Sequence, residues 1–179
     1  MRRCGGLLAA LMFVLVACGP AAPAALPLGT EAVVRQGDSA GDGNNPVTDL
    51  AVTALAVRPG TIAELEAGGF SLDEDEKSLT PLYVDARFEN KGSETISRQQ
   101  RVGMENQDGD LINAVAIIDL GGEPYEQCPD NRSDEDLAPG DSFESCTLFL
   151  LNPGETAARV SFLPFAPGVE SDWVYWNAK

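Results

Sequence analysis

The chain has no histidine, four cysteines, and only 12 Lys plus Arg against 28 Asp plus Glu, a formal charge of −16 over 179 residues. Without histidine there is no Ser-His-Asp triad, no zinc site of the usual His type and no imidazole acid/base chemistry. So few basic residues exclude a general affinity for nucleic acid, whose phosphates need clustered Lys and Arg. The lysines are Lys77, Lys91 and Lys179, in acidic, turn and terminal contexts. An exposed ammonium there stays protonated, which argues against a Ser–Lys nucleophile. The opening apolar run, Leu7 to Ala17, falls short of the ~20 residues a membrane span requires. What is present is enough for a core: 44% hydrophobic and 22% charged residues suit one ordinary domain plus an appendage.

Met1-Arg2-Arg3 followed by the Leu7–Ala17 run has the charge and length of a secretory signal. Leu15-Val16-Ala17-Cys18 resembles the lipobox of bacterial lipoproteins, in which the cysteine thiol accepts a diacylglyceryl group. The resemblance implies cleavage after residue 17, acyl chains such as palmitate on Cys18, and attachment to the extracytoplasmic face of a bacterial membrane. Cys4, Arg2 and Arg3 would leave with the signal, so that 10 basic residues face 28 acidic ones. A plain signal peptide and an uncleaved anchor are the alternatives. From Gly19 to Pro46 prolines, alanines and then Gly, Asp and Asn dominate, a composition that predicts a flexible tether spanning roughly 30 Å. The expected organisation is therefore signal 1–17, lipidated Cys18 and tether 18–46, and one domain over 47–179.

Strand patterns fill that domain. In Leu82–Glu89, Leu82, Val84, Ala86 and Phe88 alternate with Tyr83, Asp85, Arg87 and Glu89, the period of a half-buried strand. Asn90-Lys91-Gly92-Ser93 is a turn whose Asn and Gly tolerate positive φ. Further strands are expected at 49–57, 102–105, 111–118, 142–151, 158–163 and 173–176, with Asp108-Gly109 marking a hairpin. Thr61-Ile62-Ala63-Glu64 has capping-box form and predicts a short helix over 61–67, ended by Gly68 and Gly69 and followed by a solvated acidic tip, 73–76. Recurrent turns between antiparallel strands predict an all-β, immunoglobulin-like antiparallel sandwich of about seven strands.

Three groups of side chains are candidates for chemistry. Cys128 and Cys146 are the thiols that remain after Cys4 and Cys18, and in an exported protein such a pair is expected as a disulfide; neither Cys-x-x-Cys spacing nor histidine favours a metal or redox role. Acidic clusters at Asp73–Glu76, at Asn106, Asp108 and Asp110, and at Asp130, Asp134, Glu135 and Asp136 offer oxygens to calcium. The Asn-x-Asp-Gly-Asp spacing is similar to a calcium loop but lacks the bidentate glutamate, and hairpin chemistry is its simplest explanation. In the last strand, alternation sends Trp173 and Tyr175 to one face and Val174 and Trp176 to the other. One face is core; the other is a candidate ring platform for a glycan or a partner.

Leu82–Asn90 with Lys91-Gly92, Met104–Leu111 with Asp108-Gly109, and Leu137-Ala138-Pro139-Gly140-Asp141 leading to Phe149 and Pro153 together resemble bacterial lipoproteins with a C-terminal immunoglobulin-like (telokin-like) sandwich. The resemblance spans roughly residues 47–176 and implies a fold, an envelope location and a binding role, with no catalytic residues to carry over. The helix and acidic tip at 61–76 and the Cys128–Cys146 loop lie outside that pattern. The expectation is a non-enzymatic, membrane-anchored interaction module without a required cofactor. Its alternatives are a calcium-binding envelope domain, a carboxylate-dependent envelope enzyme, and an inhibitor or chaperone-like factor offering a sheet edge.

Overall fold

In the computed structural model, which describes residues 24–37, 46–115, 125–129, 135–168 and 170–179, strands dominate. They are β1 (Ala32–Gly37), β2 (Val47–Pro59), β3 (Thr80–Asn90), β4 (Ile96–Ser97), β5 (Gly103–Asn106), β6 (Leu111–Ile112), β7 (Ala114–Val115), β8 (Asp136–Leu137), β9 (Ser142–Leu151), β10 (Ala157–Phe162) and β11 (Val174–Asn177). A five-stranded antiparallel sheet, β1-β2-β3-β9-β7, faces a four-stranded one, β11-β10-β5-β6, while β4 and β8 form a small separate ribbon. The alternation read at Leu82–Phe88 is the reason for this packing. Leu50, Val52, Val84, Phe88 and Phe149 from one sheet meet Met104, Val160, Phe162 and Trp176 from the other in one dry core.

The expected 111–118 strand is divided. Leu111–Ile112 pairs with β5 in the four-stranded sheet, whereas Ala114–Val115 pairs with β9 in the other, so the chain changes sheets at Asn113. Residues 116–118 lie outside the described residues.

The tether expectation fails for Ala24–Gly37. Leu26 bridges Trp176 in parallel at the edge of the four-stranded sheet, with Leu26 N–H donating to Tyr175 O at 2.8 Å and Asn177 N–H to Leu26 O at 2.8 Å. After a turn at Gly29, whose φ is +79°, the chain comes back as β1 on the edge of the five-stranded sheet. The physical cause is a period of two that the prolines conceal: Leu26, Leu28, Ala32 and Val34 all pack against the core. One segment thus joins both sheets along an open side. Trp176 is sealed beneath it, fully buried, with its indole N–H donating to Thr30 O at 2.7 Å.

A second apolar cluster covers the outside of the five-stranded sheet. Helix α1 (Ile62–Ala67) has the complete capping box, with Glu64 N–H donating to Thr61 Oγ1 and Thr61 N–H to Glu64 Oε2. Its Leu65 packs with Tyr83, Leu148 and the Cys128–Cys146 disulfide. Tyr83, which the alternation places on a solvent side, is therefore buried. Phe70 meets Tyr125 edge-on at 5.1 Å, and the Tyr83 and Tyr125 hydroxyls share a 2.5 Å hydrogen bond. The helix and the disulfide loop, both departures from the common pattern, hold one another. At the opposite end of β3, Asn90 donates to Glu94 O and Leu137 O and accepts from Thr48 Oγ1 and Gly92 N–H. Gly92 is needed there for close approach and not for positive φ: a Cβ would lie 2.2 Å from Thr48 Oγ1.

Candidate functional site

Of the three expected groups, the cysteines are joined, with Cα atoms 5.1 Å apart and both residues buried. Arg58 braces this region. It makes a two-point contact to Asp85 (Nε–Oδ2 2.6 Å, Nη2–Oδ1 2.9 Å), donates to Gln127 O, and lies 5.3 Å from the centre of the Tyr83 ring. The Asp85 carboxylate raises the Arg58 pKa further. Burial, then the Tyr83 hydrogen bond, push the Tyr125 phenol well above its ordinary value. This is a structural assembly; its polar groups face one another.

The Asn106–Asp110 cluster is a turn. Asn106 Oδ1 accepts from the N–H of Asp108 at 3.0 Å and of Asp110 at 2.9 Å, and Gly109 takes φ +86°. Asn106 Nδ2 reaches Glu155 Oε1, which links this hairpin to the β9–β10 turn. The oxygen expected to face a cation is thus saturated by backbone donors. Asp136 sits in β8, apart from that turn; Asp130 and Asp134, like Cys18, lie outside the described residues. Among the described residues no three acidic or cysteine side chains converge as metal ligands. In the acidic tip, Asp73 Oδ1 accepts from Asp75 and Glu76 N–H and caps a 3₁₀ turn, Glu76–Ser78.

The aromatic strand divides as its alternation requires, so Trp176 is core and not surface. Trp173 and Tyr175 share the outer face of the four-stranded sheet, their rings stacked at 6.1 Å and 18°. On the next strand Arg159 places its guanidinium 4.2 Å from the centre of the Tyr175 ring and pairs with Glu105 of β5 at 2.5 Å. The row Trp173–Tyr175–Arg159–Glu105 therefore crosses three strands, set by the register Arg159↔Asn177 and Arg159↔Glu105. Burial first, and the Glu105 carboxylate second, raise the Tyr175 phenol above its usual pKa. Leu111 stands 57% exposed on this face. Between Tyr175 and Gly103, Ser161 is fully buried, and its Oγ has no hydrogen-bond partner among the described residues. A Cβ at position 103 would come within 2.9 Å of that oxygen, so glycine leaves it room.

Sequence reasoning singled out Trp173 and Tyr175 but missed Arg159, Glu105, Ser161 and Leu111. Arg159 and Ser161 alternate with Val160 and Phe162 in the strand it did identify. Nothing local says that Glu105, over fifty residues upstream, is Arg159's partner, because register between strands is a tertiary property.

Another concavity crosses the outer face of the five-stranded sheet. Gly29, Glu31, Ala51, Thr53, Leu55, Arg87 and Glu89 line an open depression of about 260 Å³. Its charges satisfy one another through Arg87–Glu89, Lys91–Glu89 and Lys91–Glu31 contacts. Its size is below that of ordinary ligand pockets, and the aromatic face is the stronger candidate.

No protein-family model and no curated protein sequence matches the chain. Among solved structures, it is similar to the 1.5 Å crystal structure of MPT63, a secreted protein of Mycobacterium tuberculosis, with a TM-score of 0.51 and 13% identity over 88% of this chain and 98% of that one. The likeness is one of fold. MPT63 is an immunoglobulin-like β-sandwich, and the present chain has that architecture, nearly all β with a single short helix among its described residues. No helix among the described residues is long and apolar enough to cross a membrane.

Proposed function

We propose that this protein is a non-catalytic binding module of the bacterial envelope, held at the extracytoplasmic face by acyl chains on Cys18, with the outer face of its four-stranded sheet as the binding surface. The observation that carries the binding half is the Trp173–Tyr175–Arg159–Glu105 row, in which the buried Tyr175 and Glu105 hold Trp173 and Arg159 in place, with Leu111 exposed at its margin and a buried Ser161 Oγ that has no hydrogen-bond partner among the described residues. The exposed Trp173 ring, stacked on a Tyr175 that is itself buried, together with the fixed Arg159 guanidinium and the exposed Leu111, offers a pre-organised surface suited to a glycan ring or a partner's side chains, at little ordering cost. The secreted nature of MPT63 supports a location beyond the cytoplasm, and the lipobox-like Leu15–Cys18 supports the anchor.

Two measurements test the reading. Intact-mass analysis of the mature protein is expected to show a chain beginning at Cys18 with diacylglycerol added; an unmodified chain starting elsewhere removes the anchor. A photo-cross-linking amino acid at Leu111 is expected to give a discrete adduct in living cells, lost on Arg159→Ala. The same group at the equally exposed Val33, on the other sheet, should give none. Matching patterns at both positions would sink the assignment of the face.

A further inference from the structure

Five large apolar side chains stand exposed among the described residues, and three of them, Leu163 (48%), Phe165 (51%) and Trp173 (36%), belong to the single connection between β10 and β11. The connection is held to β1 at Phe165. The Gln36 side chain, itself buried, accepts from Phe165 N–H at 3.1 Å and donates to Gly37 O, and Gly37 N–H donates to Phe165 O. A Cβ at position 37 would lie 2.7 Å from Pro167 Cδ, so glycine permits the contact. The Phe165 ring is thus presented to solvent by a backbone clamped on both sides.

The chain enters the domain at the same end. Leu26 is level with Trp176, so Ala24 is level with Val174, immediately beside Trp173. Because Leu26 is already bonded into the folded body, eight peptide steps separate it from Cys18, and a chain that long reaches at most about 28 Å even fully extended. The roughly 30 Å of free tether expected from composition is not available.

We infer that the Leu163–Phe165–Trp173 rim rests in the membrane interface, so that the protein lies against the lipid surface in one orientation instead of floating above it. The inference rests on lipidation of Cys18. The occupant is lipid because the anchored end and the apolar rim coincide, and because Trp and Phe are the side chains favoured at headgroup depth. Contacts too weak to hold a free protein suffice here, since the tether makes the second contact intramolecular. Glu170 and Asp172 flank the rim and Arg101 is exposed two residues before Gly103, so the end carries no basic excess. The contact is therefore apolar and does not require anionic lipid. Trp173 then faces lipid at the near edge of the sheet's outer face, and Arg159 and Leu111, farther along that face, remain open to a partner.

The chain's two tryptophans make the test direct, because Trp176 is buried in the core and Trp173 is not. The full mature lipoprotein is reconstituted in phosphatidylcholine vesicles with and without brominated acyl chains, and emission is compared with iodide quenching from the aqueous side. Bromolipid quenching of the Trp173 component, with protection from iodide, is expected, and Leu163→Ser/Phe165→Ser should reverse both while the protein still floats with the vesicles. Since both side chains are exposed, unchanged thermal unfolding of that variant shows that its fold is intact. Iodide access without bromolipid quenching overturns the proposal and leaves the anchor standing. Protection from both quenchers overturns it in favour of a protein or a second copy covering the rim. Failure of the acylated protein to associate with vesicles at all, or absence of acylation, overturns the anchor and the orientation together.

Discussion

At the scale of single residues, the polar groups that matter most are those that tie separate turns together. Glu155 accepts from Asn152 N–H at 2.8 Å and Asn152 Nδ2 at 3.0 Å through one oxygen, and from Asn106 Nδ2 at 3.1 Å through the other. These donors, the Asn152 backbone foremost, hold its carboxyl below the usual carboxylate range. A depressed pKa in the folded state means that this stabilisation is present above the unfolded value, ~4.3, and is lost as pH falls through the folded one. Glu155→Gln places an amide N–H against donors on one side. Thermal unfolding should show the variant melting a few degrees below wild type at pH 7, with the gap closing below about pH 4. A gap independent of pH would mean that the contacts are steric and not ionic. Asp108 and Asp110, by contrast, contribute through the turn they occupy: the pattern that is similar to a calcium loop is built around Asn106, whose oxygen faces two amides.

At the scale of elements, the segment Ala24–Gly37 does most to close the sandwich. It pairs with β11 on one sheet and β2 on the other and covers Trp176. Removal of residues 1–23 should leave the melting temperature of the domain unchanged. Removal of residues 1–37 should expose Trp176 and a long β2 edge, with a loss comparable to a large core truncation, ~3–5 kcal/mol or about 10 °C, and association through the free edge. Circular dichroism melts and size-exclusion chromatography check both, and equal behaviour of the two truncations would show that the segment is an accessory. This element was the one least legible in the sequence. Its alternation of Leu26, Leu28, Ala32 and Val34 is interrupted by Pro27, Gly29 and Thr30, so composition outweighed period. β3, through its unbroken period of two, and β9, through the turns Pro139-Gly140 and Asn152-Pro153-Gly154 that bound it, were legible almost to their ends, as was α1 through its capping box. The division of 111–118 between sheets was not, since a strand that changes partners keeps its local pattern. The candidate site was legible to the extent that one strand carries it: Trp173 and Tyr175 could be placed together, whereas the Arg159–Glu105 half depends on the register between β10 and β5.

At the scale of the whole molecule, charge is the dominant long-range term. Arg35, Arg58, Arg87, Arg98, Arg159, Lys77 and Lys91 all have acidic partners, and with 28 acidic residues against 12 basic ones the net negative charge makes the acidic groups repel one another across the molecule. Salt acts on this balance in two directions. It weakens the exposed pairs, each worth ~0–1 kcal/mol, and it screens the far more numerous like-charge interactions across the surface. The more buried pairs, Arg159–Glu105 above all, are screened least, so the repulsive sum should yield first. The melting temperature at pH 7 is therefore expected to rise between about 0.01 M and 0.15 M sodium chloride, as the screening length contracts from ~30 Å to ~8 Å. Calcium chloride at matched ionic strength separates screening from binding. If the acidic clusters act only as a diffuse field, the two salts give the same curve. An additional rise with calcium, removed by EDTA, would mean that the 130–136 region or another cluster gathers a cation, and the calcium-binding alternative would displace the purely apolar and aromatic reading of this surface.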